Sequence, residues 1–282
     1  MNLNRDFVAG SPWRTRERGC AAAGPATSWR AGSIWMDASG SHSSNRAYYD
    51  AFSERYEDRR GKNDPGGYHE LLDELESDFV RRYAEGRDVL EVGCGTGLVL
   101  DRIAKFARSA QGVDLSPGML DKARQRGLDV HEGSAVDLPF PDAAFDVTCS
   151  FKVLAHVPEI ERALAEMARV VRPGGVVIAE FYNAWSLRAL LKRLLPPGAI
   201  AAATHERHVY TRYDSPPAIR RLLPPGLRVI SARGVRVVTP TAHLMRVPLL
   251  RDVLRRSEWR LADSPLRALA GFYIVAARKV AS

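Results

Sequence analysis

A carboxylate at Glu91, glycines at every second position (Gly93, Gly95 and Gly97) and a second carboxylate at Asp114, 17 residues beyond Gly97, are the residues whose types and spacing could act together. Glycines so spaced let the backbone turn sharply and approach a ligand without Cβ clashes. Asp114 follows the apolar stretch 110–113 and stands where a ribose diol would find a bidentate acceptor. A dinucleotide site spaces its glycines G-x-G-x-x-G and leaves a helix N-terminus free for the pyrophosphate. Here the loop reads G-x-G-x-G, and Glu91, two residues before it, would repel a diphosphate. A carboxylate in that place suits a ligand with cationic groups.

Three further segments keep company with this loop: Gly112-Val-Asp-Leu-Ser-Pro-Gly-Met119, Leu138-Pro-Phe-Pro-Asp-Ala-Ala-Phe-Asp146 and Arg172-Pro-Gly-Gly175. In order and approximate spacing, across residues 85–183, the set resembles the class I S-adenosylmethionine-dependent methyltransferases, of the small-molecule type found in ubiquinone and menaquinone biosynthesis. The resemblance implies S-adenosylmethionine as co-substrate and says almost nothing about the acceptor.

To hold these motifs the chain needs a parallel sheet. Strands are expected near 87–92, 109–113, 128–131, 145–150 and 175–181, with helices at 68–84, 97–106, 117–125 and 159–171 between them. The resemblance adds a sixth strand at about 227–238 and an antiparallel seventh at about 271–279. The expected architecture is α/β, a Rossmann-like, seven-stranded, mostly parallel sheet with helices on both faces. Ligands of such open sheets sit beyond the carboxyl ends of the strands, where each motif falls.

The chain of 282 residues, 45% of them apolar, can bury a full core. Three cysteines without metal-ligand spacing (Cys20, Cys94, Cys149) argue against a disulfide framework and fit a reducing cytoplasm. No apolar run reaches the roughly 18 to 20 residues of a membrane span. Charge is uneven: residues 1–35 hold 5 basic and 2 acidic side chains (+3), residues 36–183 hold 18 and 26 (−8), and residues 184–282 hold 18 and 5 (+13). The basic share thus lies late in the chain and implies a substrate-facing or partner-facing half.

Residues 1–44 read as a disordered extension ahead of a methyltransferase domain over 45–282, with Met36 as an alternative translation start. Residues 45–60 form a helical pattern with Tyr48, Tyr49, Phe52 and Tyr56 on about one side, either a packing helix or a lid over the cofactor, with Tyr56 as the lid residue.

On the resemblance, the backbone of Gly93, Cys94, Gly95, Thr96 and Gly97 cradles the methionine part of the cofactor. Glu91 binds its ammonium, Asp114 accepts both ribose hydroxyls, and Leu115 and Met119 flank the adenine. Ser134 stands where the family commonly has an acid toward the adenine amino group, with Ala135 beside it; a serine there lacks charge assistance. Phe151 and Lys152 are expected at cofactor or substrate, and Tyr182 and Asn183 to point at the site. His156 comes one residue later than the base of plant phenolic O-methyltransferases, about 100° round a helix, and reads as a loop anchor. No catalytic residue is assigned and no metal is expected; His205, His208 and His243 read as surface or pocket residues. Cys94 and Cys149 read as small core residues.

Two insertions, 184–226 and 239–266, carry leucines interleaved with arginines and read as substrate caps, with peripheral contact on anionic lipid as the alternative. Transfer to a small apolar or anionic molecule leads. An RNA methyltransferase is the second reading, against which no RNA module appears. The third is a non-catalytic cofactor-binding protein.

Overall fold

The computed structural model describes residues 33–36, 49–50, 53–54, 56–58, 60, 66–186, 189, 210–239 and 241–280. The expected packing and cap residues Tyr48, Phe52, His205 and His208 lie outside these, as does most of the expected N-terminal extension. Within that extension Ser33–Met36 (β1) is a strand, pairing antiparallel with Thr211–Asp214 (β7).

The chain then builds one seven-stranded sheet. In order come the helix Tyr68–Ala84 (α1), Asp88–Val92 (β2), Leu98–Ala104 (α2), Ser109–Asp114 (β3), Pro117–Gln125 (α3), Asp129–Glu132 (β4), Phe145–Ser150 (β5), Ile160–Val170 (α4) and Val171–Tyr182 (β6). After β7 follow Pro216–Leu222 (α5), Leu227–Val235 (β8), Pro248–Leu261 (α6) and Phe272–Lys279 (β9). The strand order is β4-β3-β2-β5-β6-β9-β8, parallel except for β9, which runs antiparallel to both neighbours. Helices α1 and α3 have the expected bounds; β6 begins four residues early because Val171 already pairs with Phe145 before a register shift.

Alternation along the strands splits the core in two. Val176 and Ile178 of β6 face a cluster with Leu71, Leu75 and Phe79 of α1, whereas Val177, Ala179 and Phe181 face one with Ile160, Leu164 and Met167 of α4. The helices present these residues at spacings of three and four, so one stripe of each is buried. Arg233 of β8 is fully buried and stays charged by pairing with Asp78 and Asp263, at 2.8 and 2.7 Å. A charge so buried is tolerated only when paired and hydrogen-bonded.

The insertion 239–266 is built inward. Met245 of the 3-10 turn Ala242–Arg246 and Ala262 belong to the α1 cluster. The carboxylate of Glu258 on α6 accepts hydrogen bonds from the backbone N–H groups of Val237, Val238 and Thr239, at 2.8, 2.9 and 2.8 Å. The helix is thereby fixed to the end of β8.

Candidate functional site

The register sets Glu91 of β2 between Gly112 on β3 and Cys149 on β5, at the carboxyl ends of the central strands. Beyond these ends lies a cavity of about 330 Å³. Of the expected cofactor residues, Tyr56, Glu91, Gly93, Cys94, Gly95, Thr96, Asp114, Leu115, Met119, Ser134, Ala135 and Phe151 all line it. Gly97 does not. It is the N-cap of α2 at φ +82°, and a Cβ there would come 2.3 Å from Leu128 Cδ1, so its glycine serves helix packing. Gly93 is constrained from the other side: at φ +76° its Cβ position lies 2.3 Å from Val153 Cγ2.

The loop is tied down by its own backbone. The Gly93 and Cys94 N–H groups both donate to Val113 O, at 2.7 and 3.1 Å. Asp114 Oδ2 accepts from the Gly95 N–H at 2.8 Å and Oδ1 from the Ser116 N–H at 3.0 Å. Each oxygen keeps a second lone pair for a ligand. Burial pushes the Asp114 carboxyl up, while the N–H groups of Ser116 and Gly95 oppose the shift.

Glu91 is only 3% exposed, and its Oε2 has no hydrogen-bond partner within the protein. Burial raises its carboxyl well above the usual range, and the neighbouring charges of Glu76 and Asp73 raise it further. Beneath it, Lys152 Nζ contacts Glu76 Oε2 at 2.8 Å and Asp73 Oδ1 at 3.4 Å, and the Lys152 N–H donates to Glu180 Oε1 at 3.1 Å. Glu180 Oε2 is buried without a partner, and burial together with Glu76 pushes its carboxyl well up. Arg60 also reaches Asp73. The sequence reading missed this charged floor because Asp73, Glu76 and Glu180 sit at ordinary helix and strand positions; only the apolar surroundings of Glu180 in β6 hint at it.

The Tyr-rich segment meets the loop region as well. Tyr49, Tyr56 and Arg60 line the cavity. Asp50 accepts hydrogen bonds from the Ser116 hydroxyl and from the Gly118 N–H, the latter at 3.1 Å, at the start of α3. Arg126 pairs with Glu57 and donates to Thr96 O at 3.0 Å. Asp50 and Arg126 were not anticipated, since neither lies in a motif.

Lys152, His156 and Glu159 also line the cavity. His156 Nδ1 lies 2.9 Å from Tyr210 O and 3.2 Å from Thr211 Oγ1, and Tyr182 Oη is 3.4 Å from Nε2. A carbonyl oxygen can only accept, so Nδ1 carries the proton and Nε2 is the basic nitrogen of the neutral ring. The ring is therefore both a loop anchor and part of the cavity wall. Tyr182 reaches the site through His156. Asn183 does not: it is fully buried, and its amide donates to the carbonyls of Ala268 and Ala270, at 2.8 and 2.9 Å. Ser134 lines the cavity, with its hydroxyl accepting from the Val136 N–H at 3.4 Å. Burial pushes the Cys94 and Cys149 thiols up, which keeps both from being nucleophiles. His243 is exposed. Among the described residues, neither expected cap insertion contributes to the cavity lining.

The protein family described as "Methyltransferase domain" matches residues 90–179, the stretch that carries the glycine loop, Asp114 and His156. Residues 90–179 match a methyltransferase domain. Its likeness extends to a malonyl-[acyl-carrier protein] O-methyltransferase of Serratia marcescens, 40% identical over 107 residues (37% of this chain, 42% of that protein). It extends also to a ubiquinone biosynthesis O-methyltransferase of Alkalilimnicola ehrlichii, 34% identical over 156 residues (50% and 60%). The chain thus spans about half the length of these curated relatives. Around the methyltransferase domain, the fold is shared with an S-adenosylmethionine-dependent methyltransferase from Thermotoga maritima at TM-score 0.60 and 19% identity, covering 83% of this chain and 99% of that one. The sheet with its antiparallel strand β9 is the Rossmann-like fold of class I S-adenosylmethionine-dependent methyltransferases.

The cavity's own chemistry fits that co-substrate. A buried carboxyl at Glu91 with one oxygen unpartnered, open space at the Cβ position of Gly95 and spare acceptor capacity on Asp114 lie around one cavity.

Proposed function

We propose that the protein transfers a methyl group from S-adenosylmethionine to a small, apolar or anionic molecule. The observation that carries this reading is that Glu91 and Asp114 line one cavity, the first a buried carboxyl with one oxygen unpartnered and the second a loop-held carboxylate. Glu91 takes the ammonium, Asp114 the ribose hydroxyls, Leu115 and Met119 the faces of the adenine, and Ser134 its amino edge.

Bound there, S-adenosylmethionine supplies an electrophilic methyl group. The chain's part is to align, to keep water out and to manage a proton. Tyr49, Tyr56 and Phe151 line the cavity with aromatic rings against water, and Arg60 and Lys152 line it while held by Asp73 and Glu76. His156 Nε2, left basic by the Tyr210 carbonyl at Nδ1, accepts the acceptor's proton once the Tyr182 hydroxyl, 3.4 Å away, turns aside from its single lone pair. A malonyl-carrier and a ubiquinone-precursor enzyme among its relatives differ in acceptor, and the same core serves both.

Calorimetry with S-adenosylmethionine and S-adenosylhomocysteine tests the reading. Wild type is expected to bind both, and Asp114→Ala to weaken binding by about a hundredfold, the loss of two charge-assisted hydrogen bonds. Absence of wild-type binding would sink the proposal.

A further inference from the structure

The outer face of α6 and of the turn before it is built against the usual economy of a soluble surface. Leu249 is 84% exposed, Val253 59% and Val247 53%, and Leu244 stands out beside them. Leu249, Val253, Arg256 and Arg260 follow at spacings of four, three and four, so they share one stripe of the helix. Its first half is apolar and its second half basic, and exposed Arg246 and His243 flank the apolar end. Asp252 is the one acidic residue exposed between 241 and 261.

The inner face, in contrast, is fully engaged. Glu258 binds three backbone N–H groups, and Arg255 holds Gly66 O at 3.1 Å and Glu74 Oε2 at 2.6 Å. The apolar stripe therefore cannot turn inward, because the helix is pinned along its opposite side. No described helix is long and apolar enough to cross a membrane, so the stripe lies on the surface as it stands.

We propose that this face docks the protein on an anionic lipid bilayer. Leucine and valine side chains flanked by arginines match an interface of acyl chains beneath negatively charged headgroups. Charge decides among partners. The exposed charges of this face are Arg246, Arg256 and Arg260 against Asp252, so a second copy meeting it face to face would set basic stripe against basic stripe. The other leucine-rich stretch of this chain, 187–195, carries Arg188, Lys192 and Arg193 and is repelled for the same reason. An anionic surface alone complements both halves of the stripe. The proposal stands apart from the methyl-transfer reading, since none of these residues lines the cavity.

Flotation of the full chain with vesicles of phosphatidylcholine plus phosphatidylglycerol, against pure phosphatidylcholine, tests it. Wild type is expected to float with the anionic vesicles, to stay behind with the neutral ones and to be released by added salt. Leu249→Asp/Val253→Asp and Arg256→Glu/Arg260→Glu should each reduce the bound fraction at least about tenfold. Arg220→Glu/Arg221→Glu, the same charge change on exposed residues of α5, should reduce it far less. Circular dichroism and S-adenosylhomocysteine binding establish that each variant is folded. Failure of wild type to float, equal flotation with neutral vesicles, or equal losses for the α5 and α6 charge variants would each overturn the proposal. So would a dimer in sedimentation analysis that Leu249→Asp dissolves without any vesicle binding, which would make the stripe a contact between copies.

Discussion

Lys152 Nζ lies 2.8 Å from Glu76 Oε2, joining the loop after β5, where Lys152 lines the cavity, to the middle of α1. The contact holds a strained backbone, for Lys152 has φ +60°, a region that costs a non-glycine residue about 1 kcal/mol or more. Burial disfavours the Lys152 ammonium, but Glu76 and Asp73 more than offset this and keep it charged. A positive charge so placed also limits the build-up of negative charge among Glu76, Asp73, Glu180 and Glu91.

Removing one partner should therefore hurt more than removing both. Lys152→Met leaves Glu76 buried and unpaired and is expected to cost about 3 to 5 kcal/mol, read by urea unfolding. Lys152→Met/Glu76→Gln should recover at least half of that loss. If the double variant is as unstable as the sum of the singles, the pair is not coupled and the floor is held some other way.

The burial of Glu91 works against the ionised form of the empty protein. Burial raises its folded-state pKa above the unfolded value. A carboxyl so shifted contributes its full share of stability below the ordinary glutamate pKa and loses it as pH rises through the raised value. A glutamine amide in its place cannot titrate, so Glu91→Gln should melt close to wild type below about pH 4. At pH 8 it should melt a few degrees higher, about 1 to 2 kcal/mol. The same variant should bind S-adenosylmethionine much more weakly at pH 8. A melting difference independent of pH would mean that Glu91 does not titrate between the two states.

The fold was readable because its signals are local and repeat. The β2 motif, the Asp114 position and the apolar stripe of α4 each report their element without reference to anything distant. Much of the cavity lining was readable for the same reason, since Glu91, Gly93, Gly95 and Asp114 lie within 24 residues. What escaped was formed by long-range approach. Asp50 capping α3, Arg60 and Lys152 meeting on Asp73, and Tyr210 fixing His156 join positions 13 to 79 residues apart, and no spacing rule connects them. Gly97, expected in the same loop, does not line the cavity, and Leu128 packs where its Cβ would stand. For the late leucine–arginine segment, an amphipathic pattern reports that one face is buried, not against what.

His156 makes the sharpest test of the proposed proton path, and it needs no acceptor. With the Tyr210 carbonyl 2.9 Å from Nδ1, the neutral ring must carry its proton there. Nitrogen-15 histidine labelling reads the tautomer directly, because protonated and bare ring nitrogens resonate far apart. His156 is expected as the Nδ1–H form at pH 8, with a bare Nε2 toward Tyr182. Tyr182→Phe should leave the tautomer in place, since the carbonyl alone dictates it, while removing the partner that receives the charged ring's second N–H. If His156 instead carries its proton on Nε2, it has no lone pair to offer there. The ring would then be a wall of the cavity and not its base.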